Sequence, residues 1–155
     1  MYTLPTELAL QLGLAVFLGA AIGLERELSR KTAGLRTYAL VSLGSAIFTI
    51  VSAHLMDGNN IAGVINYDPG RIAAQIVTGI GFIGAGMIIF NQSKLQGITT
   101  AAGIWVTAAI GMAVGFGFYS MAVLATILVL FIFAVLWLLE EWIVKKFASE
   151  APLSD

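Results

Sequence analysis

Two groups of polar side chains, each at the end of an apolar segment, are the residues in this sequence with the means to do chemistry. The first is Glu25-Arg26-Glu27, followed by Arg36 and Thr37; the second is Asp68, Arg71 and Gln75. Alternating carboxylates and guanidinium groups can hold an ion or a charged partner, or close on each other as an Arg–Glu pair that locks two helix ends. The plainer reading is a solvated loop with a Glu27–Lys31 helical pair. Asp68 precedes Pro69, which reads as an N-cap and first helical residue: the carboxylate accepts a free backbone N–H, and proline gives up nothing at a position whose N–H has no partner. Gln75 lies about one turn further, inside an apolar run. An interhelical hydrogen bond of about 0.6–2 kcal/mol is its structural role, and a membrane-embedded amide is also a functional candidate.

Other chemistry is excluded by what the chain lacks. It has no cysteine and one histidine, His54, so thiolate and imidazole metal sites cannot be assembled. The carboxylates are confined to segment ends, which leaves no nucleophile with its base and no paired-carboxylate site. The expectation is therefore no enzyme, no cofactor and no bound metal. No basic patch suggests a nucleic-acid partner. Gly79, Gly81 and Gly84 spell G-x-G-x-x-G, but they fall inside an uncharged run of 19 residues from Ile72 to Phe90, not between a strand and a helix. They read as helix-packing residues.

The elements that must position the two polar groups are membrane helices. The chain is 59% hydrophobic and 11% charged, and a helix of about 20 apolar residues crosses the hydrocarbon core. The apolar runs predict an all-α bundle of five transmembrane helices over residues 8–24, 37–56, 69–90, 99–115 and 120–143, within a membrane domain 1–147 and ahead of a short cytoplasmic tail 148–155. Glycines set where helices meet. Gly19 and Gly23 make a G-x-x-x-G face on the first helix; Gly79, Gly81, Gly84 and Gly86 thread the third; Gly103, Gly111 and Gly115, with Thr107, form one ridge on the fourth. The fifth, free of glycine, reads as mainly lipid-facing, anchored by Trp137 and Trp142. Placing the loop 25–36 inside puts seven of the eight Lys and Arg residues on the cytoplasmic side, with only Arg71 outside. This predicts an external N-terminus and a cytoplasmic C-terminus.

With these residues laid out, the chain resembles the MgtC/SapB family of bacterial inner-membrane proteins. The resemblance is carried by Gly23-Leu24-Glu25-Arg26-Glu27, Ala33-Gly34-Leu35-Arg36-Thr37, Asp68-Pro69-Gly70-Arg71 with Gln75, Gly79 through Gly86, and Thr99-Thr100-Ala101-Ala102 with Trp105. It implies a multi-pass protein associated with magnesium limitation, acid stress or virulence, some members acting as regulators that bind the membrane sector of the F-type ATP synthase. The first expectation is therefore a non-enzymatic regulator whose small-residue faces, on the first, third and fourth spans, dock on copies of itself or on another membrane complex. Longer members carry an ACT-like cytoplasmic domain after the membrane region, and the resemblance here is to the short type. The alternative is a transporter or channel for Mg²⁺, another cation or a small solute, gated by Asp68, Arg71 and Gln75 outside and Glu25, Arg26 and Arg36 inside. Magnesium favours carboxylate or phosphate ligands, and no Asp or Glu lies at mid-span.

Overall fold

An apolar segment in hydrocarbon must satisfy its backbone internally, and this chain does so with helices. The computed structural model describes residues 5–58, 68–91, 94–139 and 146. Its helices are α1 (Pro5–Leu28), α2 (Leu35–Gly58), α3 (Pro69–Met87), α4 (Ile98–Gly115) and α5 (Tyr119–Phe131), the last continued by a π turn at Ile132–Leu136. Five helices among the described residues are long and apolar enough to cross a membrane. The expected end of the fifth helix, with Trp142, and the tail 148–155 lie outside the described residues.

Two boundaries differ from the sequence expectation in ways that matter. The first helix does not stop at residue 24: α1 runs on to Leu28, so Glu25, Arg26 and Glu27 are helical and not part of a loop. What ends it is a Schellman turn. Lys31 N–H donates to Arg26 O and Arg30 N–H to Glu27 O, with Arg30 in the left-handed region at φ 53°. The third helix does not reach Phe90. Ile88 turns extended (φ −86°, ψ 110°), and Ile89–Asn91 (β1) pairs antiparallel with Lys94–Gln96 (β2), placing Phe90 opposite Leu95. β-Branched Ile88 and Ile89 favour that extended path over another helical turn. Gly97, at φ +91°, then starts α4; its backbone passes so close to Met87 O that a Cβ there would collide with it.

The core is formed mainly by α1, α2, α4 and α5, with Ile76 and Ile80 of α3 at its edge. In lipid, helices gain little from hiding apolar surface and associate by close packing, and α2 is gripped from two sides by glycines. Added Cβ atoms at Gly19 would lie 2.6 Å from Tyr38 O and 2.7 Å from Ser42 Cβ, and at Gly23 2.7 Å from Leu35 Cα. From α4, Gly111 sits against the Ser42 backbone and Gly115 against Thr49 and Ala46. The gripped face of α2 is small and polar: Ser42, Ser45, Thr49 and Ser52 are all buried. Thr49 Oγ1 donates to Ser45 O at 2.8 Å. Ser42 Oγ is buried without a partner among the described residues. α5 contributes one stripe, Ala122, Thr126, Val129 and Phe133, and exposes the rest. α3 is the least buried of the five, with 17% of its spanning window buried against 56% for α4, and it rests on α4 where Gly84 meets Ala101.

Candidate functional site

The cytoplasmic group of the sequence reading becomes a buried cluster built by four helices. On the last turns of α1, Arg26 is 4% exposed. Its Nη2 donates to Glu25 Oε1 at 2.8 Å and its Nε to the other oxygen of the same carboxylate, a two-point pair. Ser29 Oγ donates to Glu25 Oε1 at 2.8 Å, which fixes the carboxylate from the loop side. The face of the guanidinium lies 3.7 Å from the centroid of the Phe133 ring, a cation–π contact in a site with little water. Phe133 belongs to the π turn Ile132–Leu136; such turns recur at functional positions. From α2, the fully buried Tyr38 donates through its hydroxyl to Thr100 O across a long 3.4 Å. Gly103 of α4 completes the fit, since a Cβ there would stand 2.6 Å from Tyr38 Oη and 2.7 Å from Phe133 Cζ.

The remaining residues of the inner group are placed differently. Glu27 does not pair with Lys31. Arg30 has already left the helix, and the carboxylate instead accepts Leu35 N–H at 2.9 Å, capping the start of α2 from the end of α1. Arg36 is exposed and Thr37 half-buried on the first turn of α2. Thr99 is exposed, Thr100 buried, and Trp105 half-exposed on α4. The solvated-loop expectation therefore fails for Arg26, and the Arg–Glu pair forms within α1, not between Arg36 and a second helix.

The outer group lies at the opposite end of the bundle. Asp68 caps α3, accepting Gly70 N–H at 2.8 Å. Arg71 and Gln75 are exposed. Gln75 has no interhelical hydrogen bond among the described residues; it borders an apolar groove of about 520 Å³ between α2 and α3, near Ser45, Phe48 and Gly79. Among the glycines of α3, Gly84 faces Ala101 of α4, whereas Gly79, Gly81 and Gly86 have open space where a Cβ would go.

Sequence reasoning passed over Tyr38, Phe133 and Gln11. Gln11 of α1 donates to Val114 O at 2.7 Å, a carbonyl that also accepts Gly117 N–H, and to Gly115 O at 3.1 Å, tying the start of α1 to the end of α4. An amide inside the first apolar run was the available signal for it. Nothing local marks Tyr38 or Phe133, which matter through what three other helices bring to them. Among the described residues, no three of His, Cys, Asp and Glu gather as a metal site.

This geometry sits within a region of clear relationship. The MgtC family profile matches residues 12–142. The chain belongs to the MgtC family. It is 46% identical over 129 residues to the "Putative magnesium transporter YhiD" of Escherichia coli (strain K12), covering 83% of this chain and 60% of that protein. Protein SapB of Bacillus subtilis (strain 168) is 38% identical over 145 residues, 93% of this chain and 61% of SapB. Protein MgtC of Salmonella typhimurium (strain LT2) is 45% identical over 116 residues, 75% of this chain and 46% of MgtC. The chain thus spans about 60% of the length of the E. coli relative. No solved structure matches it.

Proposed function

We propose that this MgtC-family chain is a non-enzymatic regulator of the bacterial cytoplasmic membrane. It acts by docking α3 against another membrane-embedded protein, in conditions such as magnesium limitation or acid stress. The observation that supports this is the state of α3: Gly79 and Gly86, seven residues apart on one side of the helix, present backbone to open space, while Gly19 and Gly23 of α1 and Gly103, Gly111 and Gly115 of α4 are packed within the subunit. In lipid, such a face favours a close helix–helix contact. The family resemblance points to the membrane sector of the F-type ATP synthase as the partner, and to self-association as a further use of the same face. The orientation that fits is the one with Arg26, Arg30 and Lys31 at the cytoplasmic surface.

The test is co-reconstitution with F-type ATP synthase in inverted vesicles. ATP-driven acidification should fall when the chain is present and recover with Gly86→Leu, which fills the open face without touching the core. Unchanged acidification in both cases would sink this partner.

A second reading, an ion or solute conduit, is favoured by Gln75, an amide at the α2–α3 groove with no hydrogen bond among the described residues, and by the name of the E. coli relative, "Putative magnesium transporter YhiD". Saturable Mg²⁺ flux into proteoliposomes that an Asp68→Asn, Gln75→Ala variant loses would establish it; absence of flux would leave the regulator.

A further inference from the structure

At the end of the bundle where α1 and α5 finish and α4 begins, a groove of about 950 Å³ opens beside the β1–β2 hairpin. Its two walls differ in chemistry. One is basic, formed by Arg30 and Lys31 with Arg26 behind them; the other is apolar, with Ile98, Leu136 and Trp137. Arg26 is neutralised by Glu25, whereas neither Arg30 nor Lys31 reaches a carboxylate at salt-bridge distance among the described residues. The first turn of α4 also borders the groove, and its cap, Gly97, supplies no side-chain acceptor. The helix start therefore adds partial positive charge to that of the two side chains. Leu136 and Trp137 are 48% and 49% exposed, so the apolar wall runs out onto the lipid-facing side of α5. A volume of this size exceeds what a lone inorganic anion fills and suits a larger amphipathic ligand.

We propose that this groove binds the phosphate group of an anionic phospholipid. The head group lies between Arg30, Lys31 and the first turn of α4, and the acyl chains follow Ile98 and Leu136 along the bundle, with Trp137 at the interface. The idea rests on the orientation given above, which sets this end in the cytoplasmic leaflet, where anionic lipid is concentrated.

The experiment uses the purified chain in nanodiscs of phosphatidylcholine, with phosphatidylglycerol titrated in and bound lipid read by native mass spectrometry. Wild type should retain phosphatidylglycerol selectively. An Arg30→Gln, Lys31→Gln variant should lose roughly tenfold or more in affinity, and Arg71→Gln at the opposite end should not. Equal retention of both lipids by wild type, or undiminished binding by the double variant, overturns the proposal. Inorganic phosphate or glycerol 3-phosphate that displaces the lipid at millimolar concentration would reassign the groove to a soluble phosphate and overturn the lipid assignment. A diazirine-bearing phosphatidylglycerol tests wild type alone: labelling should fall in 28–32, 95–100 and 132–137, and labelling confined to α3 contradicts the site. Nanodisc leaflets are alike, so this result does not depend on orientation, which accessibility of a Ser29→Cys variant reads separately.

Discussion

Arg26 is the residue whose replacement should be felt most. Taking it away leaves the Glu25 carboxylate with only the Ser29 hydroxyl among the hydrogen-bond partners described, and breaking one side of a buried ion pair costs about 3–5 kcal/mol; Glu25, 20% exposed at its side chain, keeps some water, which puts Arg26→Gln at the lower end. Arg26→Lys retains the charge but loses the two-point pair and the flat stacking on the ring, so it should fall between wild type and Arg26→Gln in thermal unfolding. A Glu25→Gln, Arg26→Gln double variant should recover part of the single-variant loss; equal or greater destabilisation would show that the pair is not the source. A second contrast concerns glycines of the same type in opposite surroundings. Gly111→Ala pushes a methyl into the Ser42 backbone and should destabilise by about 1–3 kcal/mol. Gly79→Ala meets open space, and should stabilise detergent-solubilised protein by about 0.5–1 kcal/mol through helix propensity. If Gly79→Ala instead lowers the melting temperature, that face is already occupied in the purified protein.

Among the elements, α3 depends most on its own ends. It contributes little beyond Ile76 and Ile80 to the core, so the Asp68 cap is a large share of what holds its first turn. Asp68→Ala should cost about 1 kcal/mol and speed amide exchange over residues 70–74 without affecting α4. The start and mechanism of this helix were legible in the sequence, because Asp68-Pro69 carries its meaning locally. Its end was not. Ile88-Ile89-Phe90 is as apolar as the helix before it, and the cue that divides them is the conformation demanded at Gly97, nine residues on from Ile88. The end of α1 is hidden for a related reason: a charged run after an apolar one suggests a loop, whereas Glu, Arg and Leu are all good helix formers and the stop lies in the backbone at Arg30. The five spans were readable from length and apolarity alone. The inner cluster was readable only in part, since Glu25 and Arg26 announce themselves by charge, while Tyr38, Gly103 and Phe133 join them through packing between distant segments.

For the whole molecule, the uneven packing sets an order of local stability. Hydrogen exchange in detergent should be slowest in α4, which touches the other four helices, and fastest in α3. A uniform protection pattern would contradict a loosely held third helix. The absence of cysteine makes orientation directly measurable: single cysteines at Ser29 and Ser120 should label from the cytoplasmic and external sides respectively. The clasp of Gln11 on Val114 and Gly115 has a consequence for biosynthesis. Donor and acceptor are separated by 103 residues, so at about 5–20 residues per second the first helix waits on the order of 5–20 s in the bilayer with an amide lacking its final partner. During that interval α1 cannot be finished, and whatever attends the nascent chain must shelter a polar group that the completed protein hides for itself.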